Sequence, residues 1–205
     1  MTMPAPPRLS RANAQAKTRE KLVAAAARVF AERGYGGATL EQIADAAGFT
    51  IGAIYSNFSG KQELFLAVLE EHVGSRIDEF AAKFELAESD AEGLAEAAAD
   101  TMRQLDDDAT WFPLFIEFWS EAARDPLVRD KFAANQQRTR RRLERIIEDR
   151  VALTGRSPLL PTADLAIILK AISNGIALEK LSTPDEVPDD LLARAVHAFF
   201  GDEST

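Results

Sequence analysis

Apolar residues recur every three or four positions along most of the chain, the period of a helix face rather than the alternation of a strand. From about Lys17 they fall at Leu22, Val23, Ala26, Val29 and Phe30, and the run stops at Gly34, a residue suited to the left-handed conformation that ends a helix. Thr39-Leu-Glu-Gln42 then reads as a capping box opening a short helix with Leu40, Ile43, Ala44 and Ala47 on its apolar side, closed by Gly48. Thr50 is the N-cap of a third short helix that runs to about Asn57. Ser59-Gly60 breaks the pattern, and one of the two caps the next helix with Gln62 or Glu63 as reciprocal partner. That fourth helix is long: Leu64, Phe65, Val68, Leu69, Val73, Ile77, Phe80 and Phe84 stay in helical register. Ahead of all this, residues 1–16 carry Pro4, Pro6 and Pro7 among small polar side chains and are expected to be a disordered tail.

The rest of the chain is helical too. Ala91–Leu105 is alanine-rich and amphipathic, and Trp111–Arg124 is densely aromatic. Asp125-Pro126 supplies a break with proline at a first helical position. Leu127–Leu153 is long and charged and ends near Gly155, and Pro158 and Pro161 mark a linker. Thr162–Leu181 and Pro188–Phe200 are two more apolar helices. No alternating stretch of useful length and no internal repeat occurs, so the predicted class is all-α.

Composition narrows the chemistry. The 205 residues include no cysteine, which excludes disulfides, thiolate metal sites and cysteine nucleophiles, and only two histidines, His72 and His197, far apart. No Gly-x-Ser-x-Gly elbow is present, a P-loop at Gly60-Lys61 fails because Tyr55 and Gln62 stand at required positions, and Gly34-Tyr-Gly36 follows no strand. Neither enzymatic activity, nor a cofactor, nor a metal is therefore expected. The N-terminus lacks an apolar signal core and no apolar run approaches a membrane span, so a cytoplasmic location is expected. The net charge of −9 is unevenly spread: residues 1–62 hold eight Lys or Arg against four acids, a net of +4, and the remainder carries −13. That asymmetry points the first quarter of the chain at a polyanion.

Three helices of about 16, 8 and 7 residues, with a glycine turn between the second and third, describe a helix-turn-helix. In the third helix Ile54 and Phe58 are spaced to pack inward, leaving Ile51, Gly52, Tyr55, Ser56 and Asn57 outward. Gly52 and Ala53 remove bulk from the leading turn, where a large side chain would hold the helix off base edges. Tyr55 offers a ring for a thymine methyl and a hydroxyl for a phosphate, and Ser56 and Asn57 offer hydrogen bonds to bases or phosphates. Lys61 and Thr39, each at the start of a helix, suit phosphates. The predicted DNA-contacting set is thus Thr39, Thr50, Ile51, Gly52, Ala53, Tyr55, Ser56, Asn57 and Lys61.

Residues 18–69 resemble the DNA-binding domain of the TetR family of transcriptional regulators. The resemblance rests on Ala25-Ala26, Phe30, Gly34-Tyr35, Thr39-Leu40, Ile43-Ala44, Ala47-Gly48-Phe49-Thr50, Gly52, Ile54-Tyr55, Phe58 and Lys61-Gln62-Glu63-Leu64-Phe65. Ser59-Gly60 departs from it, since Gly then Ser is commoner there. The resemblance implies a tail at 1–16, a helix-turn-helix domain at 17–62 and, at 63–205, a helical domain that binds a small effector and dimerises through its last two helices. It also implies double-stranded operator DNA as partner, with a two-fold dimer reading a pseudo-palindrome about one helical turn apart.

For the effector, Trp111 to Trp119 holds five of the chain's fourteen Phe and Trp residues, suited to an apolar or aromatic molecule. Trp111, Phe115, Phe118 and Trp119 are candidate lining residues, with Asn174 as a polar anchor; Phe80 and Met102 join them only through the family's layout. Core filling accounts for any one of these rings equally well, and surface exposure accounts for Glu117. Arg138 to Arg145 reads as a solvated, ion-paired helix face rather than a second nucleic-acid site, and His72 as a hydrogen-bonded helix residue. Leu165, Ile168, Leu169, Ile172, Ile176 and Leu181, with Leu192, Val196, Phe199 and Phe200, are expected to form the dimer contact. The combined expectation is a dimeric repressor released by its effector through a shift of the fourth helix. The rival is a helical protein-interaction adaptor without DNA binding.

Overall fold

The computed structural model describes residues 11–86, 95–96, 98–100, 103, 110–155, 158 and 160–200. Among them the regular elements are all helical: α1 (Arg11–Gly37), α2 (Leu40–Ala47), α3 (Ile51–Tyr55), α4 (Lys61–Leu86), α5 (Trp111–Arg124), α6 (Pro126–Thr154), α7 (Thr162–Ser182), a 3₁₀ turn (Pro184–Glu186) and α8 (Leu191–Phe200). Residues 95–96 and 98–100 are also helical, with Ala98 buried; the remainder of the helix expected at Ala91–Leu105 lies outside the described residues, as does Met102. The described residues pack as two units, one up to Leu69 and one from Glu70 onward, so the division falls inside α4 rather than at the 62/63 boundary drawn from the sequence.

In the first unit the α1 stripe of Leu22, Val23, Ala26, Val29 and Phe30 is buried, together with Ile43 and Ala44 of α2, Ile54 of α3, Phe58, and Leu64, Phe65 and Val68 of α4. Gly34, at φ 73° and ψ 166°, interrupts α1 and turns Tyr35 back into the core. There its ring meets Phe65 edge-on at 4.9 Å while Phe30 meets Phe65 at 5.1 Å. Such edge-to-face pairs fix ring orientation as well as burying area. One expectation needs correction here. Residues 11–16, read as part of a disordered tail, belong to α1, which begins at Arg11.

The α2 capping box is formed as expected: the Gln42 N–H donates to Thr39 Oγ1 at 3.3 Å and the Thr39 N–H to Gln42 Oε1 at 3.0 Å. Gly48, at φ 71°, ends the helix, and the Phe49 N–H reaches back to the Ala44 carbonyl at 2.9 Å, a Schellman ending. At α4 the Ser59 N–H donates to the Glu63 carboxylate at 2.8 Å, one half of the expected cap with Glu63 as the acceptor.

In the second unit Asp125 caps α6 by accepting the Leu127 N–H at 2.8 Å, with Pro126 in the first turn. Phe132 of α6 receives Phe115, Phe118 and Trp119 of α5 at 5.9, 5.5 and 5.8 Å. A second cluster joins Phe84, Ala98, Ile147, Leu165, Ala166, Leu169 and Leu192. Two arginines of α6 are ion-paired with partners on α4: Arg138 holds Glu70 through two contacts of 3.1 Å, and Arg142 pairs with Asp78. Of the ten residues expected at a dimer contact, Leu165, Leu169 and Leu192 are buried within this chain, Ile172 and Ile176 pack against the same cluster, and the side chains of Val196, Phe199 and Phe200 lie outside the described residues. The exposed apolar positions of α7 are Ala163, Ile167, Ala171, Gly175, Leu178 and Leu181.

Candidate nucleic-acid interface

Ile54 and Phe58 anchor α3 in the core, at 0% and 2% exposure, and Tyr55 between them stands 59% exposed. Four-residue spacing is what produces this: with 54 and 58 inward, 52, 55 and 56 must face out, and all three are exposed. Ile51 and Ala53 are half-buried. The helix itself is shorter than the seven residues expected. It closes at Tyr55 because the following side chains bond back onto it. The Ser56 hydroxyl lies 3.1 and 3.0 Å from the Gly52 and Ala53 carbonyls, and the Asn57 amide nitrogen donates to the Ala53 carbonyl at 2.8 Å. Asn57 and Ser56 therefore spend these donor protons on ending α3 and keep acceptor oxygens for any contact outside it.

Thr50 precedes α3 with extended backbone but no side-chain cap bond, so its hydroxyl is not committed to the helix. Thr39 accepts from Gln42 and retains a hydroxyl proton to donate. Both are exposed. Lys61 is half-buried: its ammonium sits 4.6 Å from the centre of the Tyr35 ring and donates to the Gly36 carbonyl at 3.3 Å. It thereby ties the start of α4 to the Gly34–Gly37 turn. Arg19 lies over the Phe58 ring at 5.0 Å, a cationic contact at the end of α3 that periodicity alone does not reveal. Chemically, the face offers one exposed aromatic hydroxyl, a leading turn without bulk and hydroxyl donors at two helix starts. That is the complement of a duplex groove edge flanked by phosphates.

The candidate effector residues do not form one set. Phe118 is fully buried and Phe115 nearly so around Phe132, which is core packing, and Trp119 is 44% exposed at its edge. Phe80 pairs with Phe84 at 6.0 Å in the other cluster, and Asn174 is half-buried on α7. Trp111 instead stacks on His72 of α4, centroids 4.2 Å apart and planes 20° from parallel. Burial, with the Arg76 charge adding to it, lowers the His72 imidazolium to about 4, so the ring is neutral at physiological pH. Phe132 and His72 are the principal aromatic partners left out of the sequence-derived candidates. Phe132 stands alone in a charged stretch and His72 sits on the edge of the α4 stripe, so neither shows in local composition.

The chain matches the family model described as "Bacterial regulatory proteins, tetR family" over residues 22–68 and the "BetI-type transcriptional repressor, C-terminal" model over 88–203. It is 46% identical over 59 residues to the activator FasR of Mycolicibacterium smegmatis, a match covering 29% of this chain and 27% of FasR. With the regulator CymR of Pseudomonas putida it shares 33% identity over 147 residues, covering 70% of this chain and 68% of CymR. Across FasR and the AcnR repressors of three corynebacteria the match spans only 27% to 58% of the relative's length. Among solved structures, the SmeT–triclosan complex aligns with a TM-score of 0.67 at 21% identity, covering 92% of this chain and 93% of that one.

Proposed function

Because this chain belongs to the TetR family of bacterial regulatory proteins, we propose that it is a homodimeric, cytoplasmic repressor that binds a pseudo-palindromic operator and releases it when a small apolar or aromatic effector binds. The observation that carries this reading is α3: a short helix held in the core by Ile54 and Phe58 that offers Tyr55, at 59% exposure, together with the small Gly52. A repressor rather than an activator fits the C-terminal family model, and an effector of aromatic character fits the ligand in the SmeT complex. The adaptor alternative leaves both the basic balance of residues 1–62 and the exposed Tyr55 without a role.

Tyr55 and its neighbours read the groove, with Thr39, Thr50 and Lys61 on phosphates; Ser56 and Asn57 fix where α3 ends. Dimerisation uses the exposed stripe of α7, where Ile167 and Leu178 are 46% and 47% exposed, and places two copies of α3 in successive turns of one groove. Effector binding in the part beyond residue 62 acts through α4, one continuous helix carrying Phe65 and Val68 of the first unit's core and His72 beside Trp111. The coupling required is about 1–3 kcal/mol, supplied by the effector's differential affinity for the two states.

Footprinting on the DNA upstream of the chain's own gene tests the reading. Two protected half-sites about one helical turn apart are expected. Protection of a single half-site at every concentration, or retention no better than for random DNA, would contradict it.

A further inference from the structure

Helices α6 and α7 fold back on each other across the connection 155–161, with Leu143 and Ile147 of α6 packed among Leu165, Leu169 and Ile172 of α7. On the polar edge of that seam stand Arg140 and Lys170, both half-buried. Arg129, Arg141 and Arg145 of α6 are exposed, and other cations nearby have carboxylate partners. Arg138 is held by Glu70, Arg142 by Asp78 and Lys180 by Asp189, whereas among the described residues no carboxylate pairs with Arg140 or Lys170. Glu144, one turn beyond Arg140 on α6, pairs with neither. What faces Lys170 is instead a like charge: burial, reinforced by the Arg140 guanidinium, lowers the ammonium from its ordinary value to about 8.

One turn farther from the connection, the same edge carries Gln136 on α6 and Asn174 on α7. The Gln136 Oε1 position is buried with no hydrogen-bond partner among the described residues. The two ends of a side-chain amide are interchangeable by rotation, so Gln136 can turn an N–H to the same place. Two cations and two amides line this edge, and a half-buried cation without a counter-charge is costly to keep. Phe132, Gln136 and Arg140 follow one another at four-residue spacing, so along about 12 Å of α6 the side chains pass from aromatic to amide to cation.

We propose that Arg140 and Lys170 bind the anionic head, carboxylate or phosphate, of a small amphipathic molecule, with Gln136 and Asn174 donating to it from the next turn. This rests on reading residues 63–205 as the effector-binding part, and it narrows the effector from apolar to apolar with an anionic head.

The test compares decanoate and decyl phosphate with uncharged 1-decanol at fixed ionic strength, on the full chain. The thermal midpoint and retention of the upstream DNA fragment are read in parallel. At least one of the two anions is expected to raise the midpoint by several degrees and to weaken retention about tenfold or more, with decanol doing neither. The Arg140→Gln, Lys170→Gln double variant is expected to lose the rise in midpoint. If decanol matches the anions, if neither anion acts, or if the double variant responds as the unaltered chain does, the proposal fails. Sedimentation supplies one more way to overturn it: a double variant whose oligomeric state changes without any anion assigns these cations to a carboxylate of a second copy. Should the variant not fold, the comparison of anions with decanol on the unaltered chain decides alone. A chain that retains no upstream fragment under any condition contradicts the regulator reading instead, and the thermal shift still reports on the anion site.

Discussion

Lys61 and His72 lie eleven residues apart on one helix, and each meets an aromatic ring. Lys61 lies over the Tyr35 ring and donates to the Gly36 carbonyl. A half-exposed cation–π contact is worth about 0.5–1 kcal/mol, so Lys61→Met is expected to lower stability by no more than about that while weakening DNA retention several-fold. Lys61→Arg should restore both, as checked by thermal denaturation and fluorescence anisotropy with an operator fragment. His72 sheds its charge, since burial and Arg76 depress it to about 4. The sign follows from linkage: between 6.5 and about 4 the unfolded chain binds the proton more readily than the folded one. Stability that is full above 6.5 is therefore lost as pH falls towards 4. Urea denaturation across that window should show this loss, and a His72→Phe variant, which keeps a ring against Trp111, should show a shallower one.

At the scale of elements, local chemistry was legible and the absence of packing was not. The α2 capping box, the Gly34 and Gly48 endings and the Asp125-Pro126 break are set by side chains within a few residues of the backbone they serve, so spacing alone finds them. Thr39→Ala removes one side of the capping box and should cost about 1 kcal/mol, seen as a lower urea midpoint with an unchanged slope. The first turns of α1 escaped notice because residues 13–17 are all exposed; a helix that buries no face leaves no apolar period to detect. On α7 the difficulty has the opposite origin. Leucine, isoleucine and alanine occur around the whole helix, so periodicity gives the helix but not which side meets the chain's own core. Likewise, the side-chain types of Ser56 and Asn57 suit hydrogen bonds to bases or phosphates, and only atomic placement reveals that donors on each close α3. The aromatic run was visible as a run, yet its division between core rings around Phe132 and the Trp111–His72 stack depends on partners distant in sequence.

For the whole molecule, the proposed account requires two copies of α3 on one duplex, joined in that proposal through the exposed stripe of α7. Ile167→Glu combined with Leu178→Glu places charge on that stripe without touching the buried Leu165 and Leu169. Sedimentation is expected to show monomers, and operator affinity should fall by far more than tenfold because the avidity of two half-sites is lost. Monomers that bind as tightly as before would leave the two-fold arrangement without support. The most direct test of the central claim is operator binding by the unaltered chain and by Tyr55→Ala, each titrated at several salt concentrations. The account predicts affinity that falls steeply with salt for both. The variant should bind more weakly on the order of tenfold at every salt, with a thermal midpoint and dimer content like those of the unaltered chain. Equal affinities for the two proteins, or binding indifferent to salt, would contradict it.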